Sequence, residues 1–143
     1  MVTRLVLDCS VTVSWCFEDE SNEASTAVLE SLAGGVEAIV PAHWSLEVTD
    51  ALLTAERRGR LSHTKMLHFL GLLTRLPITA DLETFALAFG SVAHLARDHG
   101  LTTYDAAYLE LALRAGASLA TFDQKLAVAA VTRGVRLVDG NNS

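Results

Sequence analysis

Leu5-Val6-Leu7-Asp8-Cys9-Ser10 decides how the rest of the chain is read. Three apolar residues ended at once by an acid and small polar residues predict a buried strand whose carboxyl end opens into a site. In open α/β folds that end is where ligands bind. An acid beside a buried strand needs a partner. No adjacent Lys or Arg supplies one to Asp8, and Arg4 lies four residues back on the same strand.

Outward from this stretch, short apolar runs alternate with helical patterns. A short turn or helix follows over 11–21, closing over the site. Asn22 to Leu32 reads as a helix stopped by Gly34-Gly35. Ala38-Ile39-Val40 is a second buried strand ended by Pro41, and a helix from Ala42 to Arg58 ends at Gly59. Ser62 caps a helix through Leu73, and Leu76-Pro77-Ile78 reads as a brief edge strand, where proline is tolerated. The spacing of Leu82, Phe85, Ala86, Phe89, Val92 and Ala96 predicts one long helix over 81–99 with that face buried. A helix over 104–115, a strand at Ser118–Thr121, a short helix opened by Asp123 and a last strand at Val135–Val138 complete the pattern. The tail from Asp139 to Ser143 is expected to fray. Such alternation predicts an α/β fold, a small parallel sheet with helices on both faces.

The chain has 143 residues, half of them hydrophobic, which is expected to make one domain over 1–143. Nothing approaches the run of about 18 apolar residues that predicts a membrane span, and export is not expected, because the opening residues read as a strand rather than a basic segment with an apolar signal core. Cys9 and Cys16 are too few for a disulfide scaffold and read as reduced thiols in a cytoplasmic protein. A net charge of −6 argues against non-specific wrapping of nucleic acid. It does not exclude a metal nuclease, because bound cations reverse the local field.

Four acids are placed to meet. Asp8 ends the first strand, Glu47 lies early in the helix after the second, Asp105 opens another helix, and Asp123 follows the strand ending at Thr121. In a parallel sheet, residues just after strands gather at one edge. Gathered carboxylates repel unless a cation sits between them, and hard oxygen donors suit Mg²⁺ or Mn²⁺. Such an ion supports hydrolysis of a phosphodiester. Ser10 and Thr121 are expected to orient ligands or waters. Taken singly, Asp105 or Asp123 is also explained as an acid placed against a helix dipole. The five histidines show no metal-ligand spacing and read as surface or packing residues.

Four segments, in order and over nearly the whole chain, resemble the PIN-domain ribonucleases, and among them the toxin half of VapBC toxin–antitoxin pairs. They are 5–11 around Asp8, 44–52 around Glu47, 102–112 around Asp105 and 119–126 around Thr121 and Asp123. The resemblance implies a three-layer α/β/α sandwich and Mg²⁺- or Mn²⁺-dependent endonuclease action on RNA, with Asp8, Glu47, Asp105 and Asp123 as the metal-binding acids. It further implies a homodimer and a small antitoxin whose segment occludes the site. Asp50 stands where the family commonly has Asn, and Ser14 where it often has Lys. Arg57, Arg58 and Arg60 form the compact basic cluster available for RNA backbone phosphate, although basic residues at a helix C-terminus also offset its dipole. Trp15, Trp44 and Tyr104 are candidates for stacking on bases, or core residues.

Two other classes compete. A haloacid-dehalogenase-like phosphatase also places an aspartate after its first strand, but its motif needs a second acid where this chain has Ser10. A PIN-fold protein-binding module that has lost its chemistry would not need all four acids intact.

Overall fold

The computed structural model describes residues 4–138, so the tail expected to fray lies outside the described residues. Four strands, β1 (Arg4–Leu7), β2 (Glu37–Pro41), β3 (Ile78–Asp81) and β4 (Ser118–Ala120), form one sheet in the order β3-β2-β1-β4. Every pair is parallel. Helices cover both faces of the sheet, as the alternating pattern predicts. They are α1 (Cys9–Ser14), α2 (Glu23–Ala33), α3 (Trp44–Arg57), α4 (His63–Leu73), α5 (Thr84–Leu87), α6 (Ala93–His99), α7 (Thr103–Ala115) and α8 (Gln124–Thr132).

Cover on both faces is why β1 and β2 read as continuous apolar runs rather than alternating ones. Leu5, Val6 and Leu7 are all buried, as are Ala38 to Pro41. Edge strand β3 is more open, and it starts just after Pro77, whose carbonyl accepts from the Ala38 amide at 2.9 Å. Proline has no N–H to give a ladder, so it stands at the strand's entrance.

The chain runs from β1 outward through β2 to β3, then returns to place β4 on the other side of β1. The direction of winding therefore reverses between β1 and β4, and in open α/β sheets ligands bind beside the carboxyl ends of strands at such a reversal. Over this junction packs α7, with every residue from Ala106 to Ala112 buried. Such a helix serves as core on nearly all sides.

Three expectations change. The edge strand expected at Leu76-Pro77-Ile78 runs instead over Ile78–Asp81. The final strand reduces to a single parallel bridge, Leu119 to Leu137, with hydrogen bonds of 2.9 Å on either side. Only one residue of that apolar run comes into register with β4. The predicted long helix over 81–99 starts instead at Thr84, and a π-helical turn, Ala88–Val92, separates α5 from α6. A π turn takes one extra residue, rotating all later residues of the helix by about 100°. Val92 and Leu95 are consequently buried, whereas Leu82, Phe85 and Phe89 are 81%, 94% and 100% exposed. The face predicted to be buried is in large part the face left bare.

Arg114 fastens the turn after β3 onto α7. Its guanidinium meets both oxygens of Asp81 at 3.0 and 2.7 Å, Glu83 at 3.0 Å, and both oxygens of Glu110 at 2.8 and 3.0 Å. Hydrogen bonding to Arg114 holds the Asp81 carboxyl below its ordinary value of 3.8. A carboxylate with a depressed folded value contributes stability above its unfolded value, and loses it as pH falls through the folded one. Arg114→Met is expected to cost about 1–2 kcal/mol at neutral pH. The gap from wild type should narrow in acid below about pH 3, as urea unfolding at both pH values will measure.

Candidate metal centre

The tightest joint of the site is at one carboxylate oxygen. Asp8 passes from β1 into α1, its amide donating to the Ala120 carbonyl at 3.0 Å and its carbonyl accepting from the Val11 and Thr12 amides. Its side chain is 5% exposed, and Oδ2 accepts from Ser10 Oγ at 2.7 Å and Thr121 Oγ1 at 2.6 Å. Each hydroxyl is itself held by a backbone amide: Phe122 N donates to Ser10 Oγ at 2.9 Å, and Asp123 N to Thr121 Oγ1 at 3.0 Å. A hydroxyl that receives an amide proton on its oxygen turns its own proton elsewhere, here to Asp8. The loop after β4 is thereby locked to the end of β1.

Asp123 belongs to the same loop and caps α8, its Oδ1 accepting from the Leu126 amide at 2.9 Å. Asp105 lies in the first turn of α7, where its amide donates to the capping Thr102 hydroxyl at 3.1 Å. Glu47 lies in the first turn of α3, and its Oε1 accepts from the phenol of Tyr108, a fully buried residue one helical turn beyond Asp105. Three helix N-termini and one strand end thus present the four acids predicted from the sequence.

Electrostatics shows how these acids act on one another. Burial raises the Asp8 carboxyl above its ordinary value, and the Asp123 charge adds to the rise, while the bonds from Thr121 and Ser10 oppose it. Glu47 is raised by burial and by Asp8, with Tyr108 opposing. Asp105 is raised by burial and then by the charges of Asp123, Asp8 and Glu47, all three of the others. The Cys9 thiol, between Glu47, Asp8 and Asp50, is pushed up to about 12, chiefly by burial. A thiol so placed stays protonated and is a poor nucleophile.

Asp8, Glu47 and Asp105, each raised in part by the charge of a neighbouring acid, are the right donor chemistry for a hard divalent cation. Among the described residues, however, no three His, Cys, Asp or Glu side chains stand close enough to enclose an ion as placed. The acids are near enough for their charges to act on one another, without closing on a single point.

The other predicted residues divide. Asp50 is exposed on α3 and flanks the acids through its charge on Cys9. Arg60 is engaged in the fold: it bonds Asp19 and Glu20 at 3.0–3.2 Å and lies 4.6 Å over the Phe17 ring. Arg57 and Arg58 are exposed at the end of α3, and Arg58 rims a groove of about 250 Å³ between α1 and α3. Trp15 and Trp44 are tied inward, donating to the Ser25 carbonyl and the Thr12 hydroxyl. Tyr104, 60% exposed, is the aromatic candidate left at the surface.

Two residues at the site were not singled out from the sequence. Tyr108 holds Glu47, and His43 stands four residues before Glu47 with its Nε2 3.5 Å from Oε1. The His43 ring meets the rings of Tyr104 and Tyr108 edge-on at 5.4 and 5.3 Å. Burial lowers its pKa below the ordinary 6.5, against a hydrogen bond with the Tyr104 backbone and the charges of Asp105 and Asp8. The signal for His43 was a His–Glu spacing of four. Looking for spacing among the histidines alone passes over it.

Residues 5–131 match the PIN domain family model. The chain belongs to the PIN-domain family. It is 32% identical over 125 residues to Ribonuclease VapC3 of Pyrobaculum aerophilum, covering 87% of this chain and 92% of that protein. It is accordingly classed with the PIN/VapC ribonuclease enzymes. The fold is similar to the crystal structure of PAE2754 from Pyrobaculum aerophilum, with a TM-score of 0.70 and 20% identity over 96% of this chain and 91% of that one. It is also similar to FitAcB from Neisseria gonorrhoeae, with a TM-score of 0.57 and 20% identity over 95% and 97% of the two chains.

The raised value of Asp105 carries a sign that can be tested. A group with a raised folded value contributes stability that is complete below its unfolded value, here the ordinary 3.8, and is lost as pH rises through the folded one. At neutral pH the ionised Asp105 therefore weighs against the metal-free fold. Asp105→Asn is expected to raise the Tm of chelator-treated protein by a few degrees at most, read by a thermal melt. A lower Tm would mean that the acids do not crowd one another.

Proposed function

We propose that this PIN-family chain is a Mg²⁺- or Mn²⁺-dependent endoribonuclease, residues 1–143 acting as one nuclease domain, in which Asp8, Glu47, Asp105 and Asp123 hold the ion. The observation that carries this is the response of Asp105 to the charge of all three other acids. When bound, the ion supplies water activation and charge neutralisation at the scissile phosphodiester. Ser10 and Thr121 fix one oxygen of Asp8; toward its other oxygen they make no hydrogen bond, which keeps it for the ion. Tyr108 fixes Glu47 in the same manner. Arg57 and Arg58 are the exposed cations offered to RNA backbone phosphate, and Asp50 is an outer neighbour of the ligand set.

Ser10 argues against the phosphatase alternative, because it donates to Asp8 where that chemistry needs a second acid. A catalytically silent PIN module would tolerate loss of the paired hydroxyls and of Tyr108, yet each is engaged with an acid. By analogy with VapC proteins, the chain is the toxin of a pair, and a small cognate antitoxin covers the four acids. Among the described residues no helix is long and apolar enough to cross a membrane, and Cys9 and Cys16 are free thiols, which supports a cytoplasmic site of action.

Asp8→Asn and Asp105→Asn should each reduce RNA cleavage at least a hundredfold while leaving the far-UV circular dichroism unchanged. Chelation should abolish cleavage, and added Mg²⁺ or Mn²⁺ should restore it. Wild-type rates in both variants, or activity indifferent to dialysed chelator, would defeat the assignment.

A homodimer has its support in Leu82, Phe85 and Phe89. A Phe side chain carries on the order of 150–200 Å², so these three together reach the upper end of what a monomer ordinarily leaves bare, and patches of that size are often interaction sites. Replacing Phe85 and Phe89 with Ser is expected to convert a dimer to a monomer in light scattering. An unchanged mass would place the contact elsewhere.

A further inference from the structure

A hollow of about 430 Å³ lies between the end of α6 and one face of α8, lined by His99, Gln124, Lys125, Val128, Ala129 and Thr132. Its volume falls in the ordinary range for small-molecule sites. Gln124 directly follows Asp123, so the hollow begins beside one of the four acids. From Gln124 to Thr132 it runs along α8 for about 12 Å, at a rise of about 1.5 Å per residue.

The charge of this hollow is opposite to that of the acids beside it. None of its lining residues is acidic, although the whole chain carries −6. Lys125 is exposed and takes part in none of the ion pairs among the described residues. Its ammonium lies over the turn at Gly100, 3.9 Å from where a side-chain carbon on that glycine would stand. That turn leads into Thr102, the cap of α7, and so to Asp105. The cation therefore stands where the entrance to α7 meets the start of α8. Arg57, by contrast, lies about 15 Å beyond Glu47 along α3.

His99 adds an unmet hydrogen-bonding group. Its Nε2 is shut off from solvent and has no partner among the described residues. Buried polar atoms without partners are few in folded proteins, and each calls for an explanation. The χ2 torsion of histidine is broad, so the ring can turn Nε2 toward the hollow. In either tautomer that nitrogen then donates or accepts, and the Gln124 amide does both. Val128, 59% exposed, forms with Ala129 and the Thr132 methyl an apolar wall beside these polar groups. A flat base with hydrogen-bonding edges and an attached phosphate matches wall, polar groups and cation together.

We propose that this hollow takes one unpaired nucleotide beside the cut, Lys125 holding its phosphate, α8 the face of its base, and Gln124 and His99 the base edge. The inference rests on the nuclease reading of the four acids. It makes the hollow a specificity site, since edge contacts differ between bases whereas phosphate contacts do not.

A pool of random single-stranded RNA, cleaved by Mg²⁺-loaded full-length protein and sequenced at the new ends, gives one readout. The wild type is expected to prefer one base at one position beside the cut by roughly tenfold. Gln124→Ala and His99→Phe are each expected to flatten that preference. A second readout needs no turnover: fluorescence anisotropy of labelled RNA on the Asp105→Asn chain at rising salt. Adding Lys125→Met there is expected to lower the slope of log affinity against log salt by about 0.7, the loss of one phosphate contact. Cleavage without a base preference, or with one unchanged in both base-edge variants, would overturn the hollow and leave the nuclease standing. A salt slope that Lys125→Met leaves unchanged would do the same. RNA bound with the expected change of slope but never cut by the wild type would support the hollow and overturn the nuclease. Neither binding nor cleavage would overturn both.

Discussion

Two hydroxyls meeting on one oxygen of Asp8 hold the functional edge of this protein together. Ser10 comes from the start of α1 and Thr121 from the end of β4, and each is steered by an amide of the loop that carries Asp123. The joint closes β1 onto β4 at the point where the direction of winding reverses. It also makes an acid that is 5% exposed tolerable in the fold, since a buried carboxylate without hydrogen bonds would be costly. The hydrogen bonds do not bring Asp8 back to its ordinary value. Burial and the neighbouring acid outweigh them, and that residual imbalance is what a cation would relieve.

Sequence order conveyed most of this edge. Leu5-Val6-Leu7-Asp8 could be read as strand and site together because a strand buried on both faces has to be apolar throughout, and so its first acid marks its end. Glu47, Asp105 and Asp123 were legible for a related reason, each standing early in a helix that begins at the same edge of a parallel sheet. His43 and Tyr108 were not. A histidine before a helix and a tyrosine inside a helix that is buried almost all round look like packing residues, and only the folded chain shows that both face Glu47.

The stretch from Leu82 to Val92 failed for a different reason. Its apolar residues fit a 3.6-residue period well enough to predict one buried stripe, but the chain inserts a π-helical turn at Ala88–Val92. Periodicity assumes a constant turn, and nothing in the residue types announces an extra residue. The result separates two functions in space. Val92 and Leu95 stay in the core with α7, while Phe85 and Phe89 are turned outward. A π turn is strained relative to an α turn and is frequent at functional sites. Here its consequence is an exposed aromatic pair that a continuous α-helix would have phased differently.

Helix α7 carries both demands at once. Its buried run from Ala106 to Ala112 forms core over β1 and β2, yet the same run includes Tyr108, the donor to Glu47, and Glu110, a partner of Arg114. Asp105 stands at its first turn and Arg114 at its last. A charge is thus placed at each end in the sense the helix dipole favours, the acid toward the other three acids and the cation toward the turn after β3. The small side chains of Ala106, Ala107 and Ala112 let the helix lie close on the sheet, which brings the Tyr108 phenol to Glu47 across two elements far apart in sequence. Enlarging one of these alanines would therefore disturb Glu47 as well as the core, because the acid's position depends on how deeply the helix is seated.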